Sequence, residues 1–311
     1  MSTAPTYIGI DISGPKVLAD LIDDQGRILQ SREAQINANA IVEQVASIVK
    51  ELSLESRPVS VGVGLPGLIN RQTDQVIASQ DLPSTVREDL HEEFMRATGL
   101  RVEFENDANA AAYGEYKVGA GTGSRDIFYM MIGQGIGGAI ILDGRLWTGA
   151  SGFAGEVGHI TIDTEGIPCV CGNTGCLETV ASAPSIVRRA RERLNRDSTS
   201  SLSRLALKKS FTAEDIAHQA REGDDFALMM IERTGKYIGT GVASVINLLN
   251  IERIVLGGGV MEAGELILNP IINEARRRAF QPSFDATEIV AGKLGKNAVA
   301  IGAAMLARDA G

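Results

Sequence analysis

The stretch Tyr7–Ile22, YIGIDISGPKVLADLI, decides the fold because a second stretch repeats its plan. An apolar strand from Tyr7 to Ile12 runs into the polar turn Ser13-Gly14-Pro15-Lys16, and a second apolar run follows from Val17 to Ile22. Asp23-Asp24-Gln25-Gly26 is a further turn, after which Arg27-Ile28-Leu29 opens a third strand. The pattern returns at Asp126–Ile132, with a glycine-rich turn Gly133–Gly138 and a strand Ala139–Leu142. Asp143-Gly144-Arg145-Leu146 then echoes the earlier polar turn. Helical segments follow each copy. A unit used twice over 311 residues predicts two α/β halves rather than one core.

Working outward, Ile41, Val45, Ile48, Val49 and Leu52 share one helix face, and Val59–Gly64 is a strand opening into Leu65-Pro66-Gly67. Thr85 and Glu88 form a capping-box pattern for a helix that turns Leu90 and Phe94 inward and stops at Gly99. A strand from Arg101 to Phe104 ends at Glu105-Asn106-Asp107, and Ala108–Lys117 reads as a helix. The later chain is largely helical, at Ser185–Leu194, after a cap at Thr212, and at Phe226–Asn250. Ser198–Ser203 reads as a polar loop. Arg253–Leu256 is a buried strand before Gly257-Gly258-Gly259, and Pro270 is expected to kink or break the helix around Gly264–Phe280. The small residues of Ala298–Ala307 predict close packing on a neighbour.

All three cysteines fall in Gly155–Glu178, GEVGHITIDTEGIPCVCGNTGCLE. Cys169, Cys171 and Cys176 with His159 make a closed four-ligand set suited to structural zinc, and Gly172 and Gly175 supply the turns that wrap a short chain round an ion. With every position filled by protein, such a metal braces the loop and does no catalysis. Free thiols in a reducing compartment are the plainer alternative.

Composition narrows the rest. A 44% apolar and 22% charged chain is globular, and no apolar run approaches the ~20 residues that span a bilayer. The start MSTAPTYIGI has no charged leader region, which predicts the cytoplasm. A net charge of −9 argues against a nucleic-acid-binding face.

Several residues carry possible chemistry. Asp11 and the two glycine turns, Ser13–Lys16 and Gly133–Gly138, could clamp a polyphosphate, with Asp11 holding hydrated Mg²⁺. Asp107 reads first as a helix N-cap, and otherwise as a general base whose neighbour Asn106 orients an acceptor hydroxyl. Glu156, His159 and Glu178 flank the cysteine cluster and could accept the hydroxyls of a polyol, or form an ordinary solvated loop. Gly257-Gly258-Gly259 could let an adenine lie on bare backbone, or be a sharp strand-to-helix turn.

Together these stretches resemble the ROK family of repressors and sugar kinases, within the actin-like ATPase and sugar-kinase superfamily. Gly155-Glu156-Val157-Gly158-His159 followed by Cys169–Glu178 is the most specific part. Glu105–Ala110 matches the catalytic segment, and Leu65-Pro66-Gly67 and Leu256–Val260 match turns on the sugar and adenosine sides. The resemblance implies two actin-like, ribonuclease-H-like α/β domains around a cleft, the first of residues 1–117 plus 296–311 and the second of 118–295. The C-terminal helix would return to the first, and the loop 155–178 would carry zinc in the second. It implies Asp107 as catalytic base, and Gly67, Asn106, Glu156, His159 and Glu178 as the sugar site. Asp11, Gly14, Lys16, Gly133, Gln134, Gly135, Gly137, Gly257, Gly258 and Gly259 would bind Mg²⁺ and ATP, and His159, Cys169, Cys171 and Cys176 would hold zinc. Family members are usually homodimers or homotetramers. The expected activity is ATP-dependent phosphorylation of a hexose, glucose by default.

Two turns depart from the family pattern. Ser13 and Pro15 replace the usual Gly and Thr, and Gln134 stands where Thr is common. The alternatives are therefore a non-catalytic sugar sensor, or a kinase with another acceptor (N-acetylmannosamine, N-acetylglucosamine, a cyclitol) or donor (polyphosphate). A DNA-binding repressor is less expected, since the first strand begins by Tyr7 and leaves no room for a helix-turn-helix module before it.

Overall fold

The computed structural model describes residues 4–70, 75–78, 90–194, 200–207 and 210–310. The Thr85–Glu88 capping box lies outside them. The chain gathers into two compact units, one of residues 1–123, 139–154 and 296–311, the other of 124–138 and 155–295.

In the first unit the opening hairpin is β1 (Thr6–Asp11) and β2 (Lys16–Asp23), extended by β3 (Ile28–Gln35). The helix α1 (Ile41–Leu52) leads to β4 (Pro58–Leu65), and a small ribbon of β5 (Leu68–Asn70) and β6 (Gln75–Ala78) follows. Then come α2 (Leu90–Thr98), β7 (Arg101–Asn106) and α3 (Asp107–Val118). The sheet order is β3-β2-β1-β4-β7, antiparallel through the hairpin and parallel from β1 to β7. Because side chains alternate across a strand, Ile8, Ile10, Val17, Leu21, Val61 and Val63 share one face. They pack there with Val45, Leu52 and Phe94 from α1 and α2. Burying each such side chain stabilises the fold by about 1.5–3 kcal/mol.

The second copy of the motif is β8 (Ile127–Ile132), β9 (Ile136–Leu142) and β10 (Arg145–Leu146). Here β9 begins at Ile136, three residues before the expected start, so the turn is confined to Gly133-Gln134-Gly135. Glu178 causes this, since its Oε2 accepts the Ile136 N–H at 2.7 Å and organises the strand start. After the cysteine loop come α4 (Glu178–Ala181), α5 (Ala183–Leu194), α6 (Ser201–Ala206), α7 (Ala213–Arg221) and α8 (Asp225–Leu249). The expected loop at Ser198–Ser203 is corrected in its described part: Ser200 caps α6 by accepting the Leu202 N–H. Residues 195–199 lie outside the description.

The chain continues through β11 (Arg253–Gly257), α9 (Glu265–Arg278), α10 (Gln281–Asp285), β12 (Glu288–Ala291) and α11 (Ala298–Asp309). The second sheet runs β10-β9-β8-β11-β12, with β8, β11 and β12 parallel in the second unit. Pro270 does not break α9, which is assigned without interruption from Glu265 to Arg278. It packs against α8 at Gly235, where an added Cβ would come within 2.7 Å of the proline Cβ. Tertiary packing thus holds together a helix that propensity disfavours.

The small-residue helix α11 packs closely on strands β1 and β4, the close approach its composition predicts. A Cβ on Gly9 of β1 would fall 1.7 Å from the Ala300 carbonyl oxygen, and one on Gly62 of β4 would fall 1.9 Å from that of Ala303. Only bare backbone permits this approach. Among the described residues, no helix is long and apolar enough to cross a membrane.

Candidate active site and metal-binding loop

In the first unit, β7 ends and α3 begins at the Asn106–Asp107 junction. The cap is Asn106, not Asp107: the Asn106 Oδ1 accepts the Asn109 N–H at 3.1 Å, and its Nδ2 donates to the Gly67 carbonyl at 3.0 Å. Gly67 has φ +102°, a turn conformation that favours glycine. Below them the buried Glu105 accepts from the Asn106 N–H and the Asn109 Nδ2, both at 3.0 Å.

Relieved of capping, Asp107 is the first residue of α3; its carboxyl accepts the Ala108 N–H at 2.8 Å and is also within hydrogen-bonding influence of the Ser13 side chain. Its carboxyl is half-buried by surface area yet densely surrounded. Burial, reinforced by the charge of Asp11, pushes its pKa up to about 7. Asp11 is also raised, chiefly by burial, although Ser13 opposes the shift. The Ser13 hydroxyl and N–H both donate to the Asp11 Oδ1, at 2.6 and 2.8 Å. The two acids and Ser13 therefore form one cluster, of which Ser13 was not foreseen as a member. Composition held no signal for it, because the bond depends on the turn geometry.

Other residues of the first turn are less committed. A Cβ on Gly14 would meet nothing within 4 Å. Lys16 is paired with Glu33, whose other oxygen takes Lys296 at 2.9 Å. The two lysines hold the Glu33 carboxyl down at about 2.

The second unit holds the remaining expected residues. In the turn, the Gly133 N–H donates to the Gly135 carbonyl at 2.9 Å, and the Gly133 carbonyl accepts the Ala183 N–H at 2.8 Å. Gln134 is exposed. Gly135 is crowded by Glu178, whose Oε2 would lie 2.7 Å from an added Cβ, and Gly137 lies on β9. At the end of β11, Gly257 is required by the Tyr129 hydroxyl, which would lie 2.1 Å from an added Cβ. Gly258 is required by φ +89° and by the Ile132 carbonyl oxygen at 2.4 Å, while Gly259 faces open space. Packing explains the first two glycines, which leaves Gly259 as the bare backbone.

The cysteine loop brings its donors together. The Nδ1 of His159 and the Sγ of Cys169, Cys171 and Cys176 all lie within 4.8 Å of one another. Cys169 Sγ is 3.6 Å from His159 Nδ1, and Cys171 Sγ is 3.7 Å from Cys176 Sγ. A tetrahedron with metal–sulfur bonds of ~2.3 Å and a metal–nitrogen bond of ~2.0 Å has edges of roughly 3.8 Å (S···S) and 3.6 Å (S···N). The donor set fits such an ion. Burial, with the neighbouring Cys169 and Cys171 sulfurs, pushes the Cys176 thiol up to about 12, a cost that a central cation would relieve. Gly175 lets the loop close: its φ is +71°, and a Cβ there would fall 1.5 Å from the Asp163 carbonyl oxygen.

With Nδ1 turned to the sulfurs, the His159 Nε2 faces Glu156 Oε2 at 3.9 Å. Glu156 is exposed, and its carboxyl is pushed up by desolvation and by Glu178, against the pull of His159. Glu156 thus lies beside His159 and near enough to Glu178 to feel its charge, so the three share one neighbourhood. One Glu178 oxygen, however, already serves the Ile136 N–H.

Comparison with known proteins gives the family. The model described as the ROK family matches residues 7–310. The chain is 35% identical to a glucokinase of Streptomyces coelicolor, covering 97% of each. It is 29% identical to the xylose repressor of Bacillus subtilis over 97% of this chain and 76% of that one. Among solved structures it is similar to a ROK family glucokinase from Streptomyces griseus in complex with glucose and AMPPNP. The TM-score is 0.89 and the identity 34%, covering 98% of this chain and 99% of that one.

Proposed function

Because the chain belongs to the ROK family, we propose that it is a sugar kinase, transferring the γ-phosphoryl group of ATP to a hexose hydroxyl, with glucose the default acceptor. The observation that carries this reading is the end-to-end match to glucokinases, one of them solved with glucose and AMPPNP. Asp107 supports it, as a carboxyl poised near neutrality and released from capping. Asp107 takes the acceptor hydroxyl's proton as that oxygen bonds to the γ-phosphorus and the bond to the departing ADP breaks. Gly67, Asn106, Glu156, His159 and Glu178 hold the sugar hydroxyls. Asp11, Gly14, Lys16, the turn at Gly133, Gln134, Gly135 and Gly137, and Gly257–Gly259 serve ATP. Mg²⁺ bound with the nucleotide supplies charge neutralisation. The rest of catalysis is positioning.

His159, Cys169, Cys171 and Cys176 hold zinc as a structural ion, so that the His159 Nε2 is left to meet a sugar oxygen. The kinase domains are residues 1–117 with 296–311, and 118–295. Reduced cysteines in a metal cluster suit the cytoplasm, and the family's habit suggests a homodimer or homotetramer.

A second reading, a non-catalytic sugar sensor, is favoured by Ser13 and Pro15 in the phosphate turn and by the likeness to a repressor. A coupled assay of glucose, mannose, N-acetylmannosamine and N-acetylglucosamine against ATP and polyphosphate separates the two. The kinase reading expects turnover that Asp107→Asn lowers by about 10²–10⁴-fold. Sugar binding by calorimetry without turnover on any pair would replace it with the sensor.

A further inference from the structure

Arg189 lies in the middle of α5 and is buried, with 7% of its surface exposed. Its guanidinium donates to the Thr234 hydroxyl of α8 at 2.5 Å and sits over the Tyr237 ring at 5.1 Å. Neither partner carries a charge that answers its own, and among the described residues its buried Nε has no hydrogen-bond partner. A buried cation in this position ordinarily has a carboxylate. Instead, other arginines surround it. Arg193 lies one turn along α5, and Arg233 lies one turn before Tyr237 on α8, so both share the seam with Arg189. Each is half-buried and so open to solvent.

The acids nearest the seam are engaged elsewhere: Glu192 pairs with Arg188 at 2.9 Å, and Glu232 pairs with Lys236 at 2.6 Å. The remaining acid on these helices, Asp225, is exposed at the far N-terminal end of α8, about two turns before Arg233. Among the described residues no carboxylate pairs with Arg189, Arg193 or Arg233. Burial, then Arg193, Arg233 and Arg188, push the Arg189 guanidinium down to about 10, against the help of Tyr237. In a chain of net charge −9, Arg193 and Arg233 lie near enough to act on Arg189, and among the described residues no carboxylate answers the three.

We propose that the α5–α8 seam binds a small oxyanion, a phosphate group free or carried on a small molecule, through Arg189, Arg193 and Arg233. The chemistry is that of guanidinium forks, which match a tetrahedral oxyanion's oxygens with paired N–H donors. The half-buried Arg193 and Arg233 grip the oxygens from the solvent side, and the unanswered charge of the buried Arg189 behind them adds its attraction to the same anion. The site lies within the second unit and uses none of the residues assigned to sugar, ATP or zinc.

Calorimetric titration of the full-length protein with inorganic phosphate, and separately with glucose 6-phosphate, tests this without turnover. Saturable binding of either is expected, weakened on the order of tenfold to a hundredfold in the double variant Arg193→Gln/Arg233→Gln. The tighter of the two ligands identifies the source of the phosphate group. Thermal melts add a readout that a purely structural role would not produce. In phosphate-free buffer the double variant melts at or above the wild-type temperature, because like charges have been removed, whereas added phosphate raises the wild type alone. Binding of neither ligand, or equal binding by wild type and variant, overturns the proposal. Equal binding would place the phosphate elsewhere, such as the glycine turn at Gly133.

Discussion

Asp107 combines two properties that rarely coincide in a helix-start aspartate: it does not cap, and it titrates near neutrality. If it removes the acceptor proton, kcat/KM for glucose rises with pH through about 7 and then levels. Asp107→Asn should lower kcat by about 10²–10⁴-fold with little change in glucose affinity, as steady-state kinetics and calorimetry would show. The same raised pKa carries a stability cost. Between the ordinary carboxylate range and about 7 the folded protein holds a proton that the unfolded chain releases, so stability falls as pH rises through that window. The asparagine variant should therefore melt higher than wild type at pH 8, and a lower melting temperature there would remove Asp107 from this account. Ser13 adds a second residue-level expectation. Ser13→Ala deletes the 2.6 Å bond that steadies the Asp11 carboxylate. KM for Mg-ATP should rise several-fold while KM for glucose stays put, and a reversed pattern in the same kinetics would show that Asp11 serves the sugar.

At the scale of elements, α11 is held by backbone contact more than by interlocking side chains. A Cβ on Gly302 would fall 1.7 Å from the Ala110 carbonyl oxygen in α3, so Gly302→Ala must push two helices apart. A loss of about 2–4 kcal/mol is expected by urea denaturation. Gly14→Ala, which meets nothing within 4 Å, should cost a few tenths at most. A neutral Gly302→Ala would mean that α11 moves aside at no cost. The same elements show what the sequence made legible. Periodicity located α1 and the opening hairpin, and the small residues of Ala298–Ala307 foretold the close approach of α11. Pro270 and Ser200 misled because their contacts are with residues distant in sequence, Gly235 for the first and Asp224 for the second. The start of β9 at Ile136 likewise depends on Glu178, 42 residues away. The metal quartet was legible because all four donors lie within eighteen residues. The meeting of Asp11, Ser13 and Asp107 was not, since it depends on β1, β4 and β7 pairing in one sheet.

For the whole molecule, chemistry is divided between the units: the Asp11–Ser13–Asp107 cluster in the first, metal donors and the Glu156–His159–Glu178 neighbourhood in the second. The division makes the metal's role testable by region. The loop 159–178 has few apolar anchors besides Cys176 and Leu177, and it relies on turns at Gly172 and Gly175 and two isolated bridges, Thr161↔Cys176 and Pro168↔Thr174. An ion joining four side chains would therefore supply most of its local stability. Purified protein should contain about one zinc per chain by elemental analysis. After chelation, hydrogen exchange should accelerate across 159–178 and into α4, while β1, β4 and β7 keep their protection, because their core in the first unit contains none of the four ligands. Glucose binding should weaken in parallel, since His159 is both a donor to the cluster and, through Nε2, the partner facing Glu156. Unchanged exchange in 159–178 after the metal is gone would mean that the turns hold the loop by themselves. Faster exchange across both units would make the ion a support for the entire fold.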